Sequence, residues 1–552
     1  MVNNISFLGQ LPLKETNNNL NLNIMIKNIK WLFLVSLTFI ACNDDEIVTY
    51  DTADGLPLTA GTADFSNYVA LGDSYSAGFS DGALFIEGQK GSFTNILAQQ
   101  FALVGGGVFN TPLMVDNIGG FLSEGIQSSA YGKRLFYGKP ADSDFFGPMQ
   151  VDGISGTDIS SKLTGSFKNL GVPGAKCIHL VTPGYGSAFG NPYFARFAST
   201  ESTTVLADAL SQNPTFFSLW IGGNDVLGYA LAGGDASLNP LTPSAGGVGV
   251  GFDASYNSII ASLTANGRKG VIGNIPNVTL LPQFTFIQPS FVPTYNYSPD
   301  GDEKRTTRVT SAADVATVNT INGIFGFLDQ VLTAYGQPNR INILSSASGA
   351  TNPVIIKDET LTDYETQIRG AASASGNAQL VALANYLGAT FGKVRQTTAG
   401  DLIPLTTSGV IGTPAVLPPG VPSTLGAYGI TYPLEDRHVL IPSEISEIAV
   451  ATDAFNITIE AAAASNNLAI VDLKSLMNNL ATTGITANNY TLNAAFVTGG
   501  AFSLDGFHPT PRGYALFANK FIEAINVKYG SNLKGVNLGN YRILFPRNAA
   551  DF

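Results

Sequence analysis

The sequence predicts an α/β protein, a parallel sheet with helices on both faces. Three observations carry this expectation. Short apolar runs recur along the chain, each of the length of a buried strand. Segments with apolar residues at helical spacing lie between them. Hydrophobic residues make up 45% of the 552 and charged residues 13%, which provides for a large core and argues against wholesale disorder.

The first strand is Tyr68–Leu71, ending in Gly72. Comparable runs occur at Phe216–Ile221, Gly270–Ile275, Ile341–Leu344 and Leu468–Val471. Ala312 to Tyr335 is expected to be a helix, with Val315, Val318, Ile321, Ile324, Leu328, Val331 and Leu332 along one stripe. Tyr514 to Val527 is another. Two stretches interrupt the alternation. Residues 80–165 are Gly-rich and loop-like. Residues 283–440 hold a helical portion followed by the Pro/Gly-rich Leu402–Pro433. Segments of that length inside a domain point to lids or substrate-binding elaborations.

The N-terminus reads as an address. Lys27 and Lys30 precede an apolar run, Trp31–Ile40, that suits a signal peptide and is too short to span a bilayer. Phe39-Ile40-Ala41-Cys42 resembles the bacterial lipobox, in which the cysteine is lipidated and becomes the new N-terminus. An ordinary secretory signal with an incidental cysteine is the alternative. Met25 is then the expected start and residues 1–24 an upstream extension. Asn43-Asp44-Asp45-Glu46 resembles the surface-export signal of lipoproteins in Bacteroidetes-like bacteria, which implies the outer membrane or cell surface of a Gram-negative cell. Residues 43–65 are expected to be a polar tether. No later stretch is apolar for eighteen residues.

The net charge of −12 argues against nucleic-acid partners, because an acidic chain repels phosphate backbones. Three histidines, His179, His438 and His508, form no cluster with the two cysteines, so no metal site is expected and no cofactor is implied. His179, in the apolar Cys177-Ile-His-Leu, reads as a core or edge residue. His438 reads as part of a polar loop. Cys177 would be a lone buried thiol once Cys42 is modified.

Ser74 follows the first strand in Leu71-Gly-Asp-Ser74. A serine nucleophile needs exposure at a strand end, a base to take its proton, and donors for the oxyanion. Gly72 permits a tight backbone and Asp73 can fix the turn through nearby amides. Gly78-Phe-Ser80-Asp-Gly82 matches the Gly-x-Ser-x-Gly elbow, but that elbow must follow a strand directly and Ser80 does not. Three more segments follow in order: Asn169-Leu-Gly-Val-Pro-Gly174, read as a turn ahead of a helix; Trp220-Ile-Gly-Gly-Asn224-Asp225, ending a strand; and Asp505-Gly-Phe-His508-Pro509, preceding the last helix.

With Gly-Asp-Ser74, these segments resemble the four blocks of the SGNH (GDSL) hydrolases, in the family's order. The resemblance implies a flavodoxin-like three-layer α/β/α fold, with a core over 66–282 and 441–528, insertions at 80–165 and 283–440, and a tail at 529–552. It implies hydrolysis of an ester or thioester through an acyl-enzyme. Ser74 matches the nucleophile, His508 the base and Asp505 the carboxylate that orients it. Gly174 and Asn224 match the oxyanion donors, with the Ser74 amide as a third. In Asp-x-x-His the two side chains can meet across one turn, leaving Nε2 to face the serine. Asp225 is expected to make a structural hydrogen bond. The spacings from Ser74 to Gly174 and from Asn224 to His508 are long for the family, which puts the substrate in doubt: a lipid ester and an acylated glycan both remain open. The alternatives to a lipase or esterase are a carbohydrate O-acetylesterase on the same fold and a non-catalytic glycan-binding surface lipoprotein.

Overall fold

The computed structural model describes residues 55–139, 146–291, 315–345, 347, 350–548 and 551. The signal segment, Cys42 and the first half of the tether lie outside the described residues.

Five strands form one parallel sheet: β1 (Tyr68–Gly72), β2 (Asn169–Gly171), β3 (Phe216–Trp220), β4 (Lys269–Gly273) and β5 (Ala469–Val471), in the order β5-β4-β3-β1-β2. Every residue of β1 and β3 is buried, which is why these strands read as unbroken apolar runs. Register aligns Gly72 with Gly171 on one side and Trp220 on the other. Helices flank the sheet: α1 (Ser74–Ala77), α2 (Phe93–Ala102), α3 (Gly223–Leu231), α4 (Phe252–Thr264), α5 (Pro442–Ser465) and α6 (Pro511–Tyr529). Phe216 and Trp220 share a strand face. Phe216 packs edge-on to Phe101 of α2, and Trp220 packs against Phe93 of α2 and Phe517 of α6. Helices α4 and α5 pair through stacked Phe252 and Phe455 rings, 4.1 Å apart. A mixed α/β fold with a parallel central sheet flanked by helices is therefore present, compatible with three α/β/α layers.

Several expectations need correction. Ile341–Leu344 is not a strand. The amides of Asn342 and Leu344 bond to the side chains of Gln396 and Asn322, and Ile343 points to solvent. Asn169–Gly171 is an edge strand rather than a turn. It is held by Asn169, whose Nδ2 donates to the Ser76 carbonyl and to Thr94 Oγ1. The 80–165 region is not all loop: α2 buries Phe93, Ile96, Leu97 and Phe101 in the main core. The tether gives way to packed chain before residue 65, because Phe65 stacks on Phe101 at 4.1 Å. Within the 529–552 segment Val536 and Leu538 are buried.

Between α4 and α5 the chain builds a second hydrophobic cluster, running from Ile287 to Ile441. It contains the expected helix, observed at Val315–Ala334, two more at Glu365–Ala374 and Ala378–Phe391, and the antiparallel strand pair Ile355–Lys357/Val394–Gln396. Arg340 fastens it by donating to the carbonyls of Val394, Thr362 and Gly392. Among the described residues no helix is long and apolar enough to cross a membrane.

Candidate active site

Ser74, Gly174 and Asn224 all follow the carboxyl ends of neighbouring strands, β1, β2 and β3. In open parallel sheets that edge is where ligands bind. Ser74 is the first residue of α1 and is 7% exposed. Gly72, just before it, has no room for a side chain, because a Cβ there would collide with the Trp220 carbonyl and Ser76 Oγ. Asp73 caps the turn, accepting from the Tyr75 amide at 2.9 Å. Burial pushes its carboxyl up to about 7, and the charge of Asp225 adds to the rise.

Gly174 sits in a left-handed conformation, φ +79°, that favours glycine. The space where its Cβ would project is open, with Asn191 Nδ2 4.0 Å away. Among the described residues the Ser74 and Gly174 amides donate to no carbonyl. Asn224 lies in the first turn of α3. Its Nδ2 donates to the Ala175 carbonyl at 3.0 Å, which ties it to the Gly174 loop and leaves its second N–H available. Asp225, the next residue, is fully buried and accepts from the Cys177 amide at 2.8 Å, the structural bond expected of it. One helix terminus thus grips two successive peptides of the Gly174 loop.

The fourth part comes from the other end of the chain. His508 is 4% exposed, and its Nδ1 bonds Asp505 Oδ2 at 2.9 Å. The Asp505 side chain is 7% exposed and accepts five hydrogen bonds. Oδ1 takes the amides of Phe507 and His508 and the Ser503 hydroxyl; Oδ2 takes the Gly82 amide and His508 Nδ1. Burial pushes this carboxyl up, but the His508 imidazole and the amide donors outweigh it, so it ends below the ordinary aspartate range. The imidazole packs against the rings of Phe79 and Tyr75, with centroids 4.5 and 5.7 Å away. Tyr75 Oη donates to the Phe507 carbonyl at 2.7 Å. The residues flanking Ser74 therefore hold the loop that carries His508. Among the described residues Ser74 Oγ makes no hydrogen bond, so the bond between nucleophile and base is not formed in this structure.

The other histidines are placed elsewhere. His179 Nδ1 accepts from the Lys176 amide, its ring stacks on Tyr185, and burial with the Lys176 charge brings its pKa down to about 4. His438 belongs to the 283–440 region, where burial and the Arg437 charge lower its pKa. Cys177 is a buried free thiol, pushed up by burial. Ser80 follows no strand, and its hydroxyl donates to the Pro509 carbonyl. Tyr75, Gly82 and Ser503 escaped sequence reasoning. Tyr75 and Gly82 act through contacts hundreds of residues away, and Ser503, though it bonds Asp505 two residues on, is fixed by the distant Asp81 amide.

Compared with known proteins, the chain matches no family model, no curated protein and no solved structure.

Proposed function

We propose that this protein is an exported, lipid-anchored serine hydrolase of the SGNH type, cleaving carboxylic esters through an acyl-enzyme on Ser74. The observation that carries this reading is the buried Asp505–His508 pair held against the turn that bears Ser74. In the reaction, His508 Nε2 takes the Ser74 proton as Oγ attacks the ester carbonyl carbon. The resulting oxyanion accepts from the Ser74 and Gly174 amides and the free N–H of Asn224. The intermediate collapses, the carbon–alkoxy bond breaks, and the leaving alcohol takes the proton from His508. Water, deprotonated by the same imidazole, then attacks the acyl carbon, releasing the acid and restoring Ser74. Asp505 keeps the proton on Nδ1 and stabilises the imidazolium. The missing Ser74–His508 bond is compatible with this chemistry, because such bonds are often long in free enzymes and tighten in the substrate complex.

A carbohydrate O-acetylesterase reading draws on the same Ser74 and His508, with the Phe79 ring 4.5 Å from the imidazole. A fluorophosphonate probe tests both readings. The parent should label and Ser74→Ala should not; equal labelling of the two would remove Ser74 from the mechanism. The anchor is tested separately. Cys42→Ser should release the protein from the membrane fraction, and unchanged membrane retention would refute the lipid attachment.

A further inference from the structure

The hydrolytic reading leaves the Gly78-Phe-Ser-Asp-Gly82 motif without a role, yet three of its consecutive residues bond to the acid–base loop. Ser80 Oγ donates to the Pro509 carbonyl at 3.0 Å. The Asp81 amide donates to Ser503 Oγ at 2.9 Å, and Asp81 Oδ1 accepts from the Leu504 amide at 2.9 Å. The Gly82 amide donates to Asp505 Oδ2 at 2.7 Å. Both serines are 1% exposed. The segment is also continuous with the helix that begins at Ser74, and the Gly78 and Phe79 amides both return to the Ser74 carbonyl.

We propose that Ser503 and Ser80 are positioning residues for the Asp505–His508 pair. Because Ser503 Oγ accepts from Asp81, its own proton is directed to Asp505 Oδ1, 3.1 Å away. Each carboxylate oxygen then has its own donors, and rotation of the carboxylate would break bonds at both ends. Removing the Ser503 hydroxyl strips one donor from Oδ1. It also orphans the buried Asp81 amide, which loosens the turn whose next residue holds Oδ2. Ser80 acts on the residue after His508, by donating to the Pro509 carbonyl. The nucleophile and the base are thereby aligned through one short stretch of chain. The inference rests on the hydrolytic reading above.

The test uses the full chain with Ser503→Ala and Ser80→Ala, read in two ways. Each change should lower kcat toward a p-nitrophenyl ester about tenfold with KM within about twofold, as expected for a displaced general base. With only three histidines in the sequence, NMR can follow the His508 ring. Its Nδ1 proton, bonded to Asp505, should be a protected downfield signal in the parent that broadens or vanishes in Ser503→Ala. The same signal can be read in Ser74→Ala, where turnover plays no part. If Ser503→Ala does not fold, Ser503→Cys, with a weaker donor at the same place, should give an intermediate loss in both readouts. Parent-like kcat with an unchanged Nδ1 signal in the folded variants would overturn the proposal. A parent inert to esters and to fluorophosphonate, with the signal still lost in Ser503→Ala, would instead refute the hydrolytic reading and leave the positioning of the pair standing.

Discussion

Asp505→Asn is the most exacting substitution, because the five donors around this carboxylate leave an amide no good orientation. An Asn side chain has one acceptor oxygen and an NH2 group. With the oxygen at the Oδ1 site, the NH2 faces the Gly82 amide and His508 Nδ1. With the oxygen at the Oδ2 site, it faces three donors. With the oxygen at the Oδ1 site the imidazole can shift its proton to Nε2 and accept from the NH2, which leaves the Gly82 amide as the one buried donor without an acceptor, so the variant should lose about 1–3 kcal/mol of stability at neutral pH. The lowered pKa fixes the pH dependence. A carboxyl depressed in the folded state stabilises the fold above its unfolded pKa, and that stabilisation is lost as pH falls through the folded value. The gap between parent and variant should therefore narrow on acidification below about pH 4. The effect on kcat should be larger than any stability change implies. The imidazole would adopt the wrong tautomer, and the equivalent change in the serine-protease triad lowers kcat about 10⁴-fold, or about 5.5 kcal/mol. The assays are urea denaturation at several pH values and p-nitrophenyl ester turnover. A variant retaining kcat within about threefold of the parent would refute the role of Asp505.

Asn224→Ala removes an oxyanion donor together with the bond to the Ala175 carbonyl. Steady-state kinetics should show kcat down about 10²–10³-fold with KM little changed, whereas a loss confined to KM would assign Asn224 to substrate binding alone. Glu444→Gln addresses a different feature. Carboxylate oxygens of Glu359, Asp436 and Glu444 lie within 4.8 Å of one another, and burial together with neighbouring carboxylates raises Asp436 to about 7 and Glu444 to about 8. A raised acid stabilises the fold below its unfolded pKa, and this is lost as pH climbs through the folded value. Glutamine keeps an acceptor for the Ile441 amide and cannot ionise. The melting temperature of Glu444→Gln relative to the parent should rise by about 2–4 °C between pH 5 and pH 9; a pH-independent difference would refute the coupling.

The strands were legible where burial on both faces forced continuous apolar runs, as in Tyr68–Gly72 and Phe216–Trp220. They were not legible where tertiary bonds replace hydrophobicity. Asn169–Gly171 pairs at the sheet edge because an asparagine side chain reaches Ser76 and Thr94, a contact that no local pattern announces. Ile341–Leu344 misled for the converse reason: its apolar residues serve the second cluster, while side chains satisfy its amides. At the candidate site, the resemblance to the four SGNH blocks named Asp505 and His508, whose bond closes over three residues. It could not reveal that the Gly82 amide, 423 residues away, holds the same carboxylate, or that Asn224 grips the Gly174 loop through Ala175. The carboxylate trio was hidden for the same reason, its members being 77 and 8 positions apart in the chain.

A crystal structure of the phosphonylated protein tests the central claim most directly. Phosphorus should be bonded to Ser74 Oγ. A phosphonyl oxygen should lie within hydrogen-bond reach of the Gly174 amide and Asn224 Nδ2, and His508 Nε2 should face the adduct. An adduct on another side chain, or an imidazole turned away from Ser74 with no approach to the phosphonate, would contradict the account.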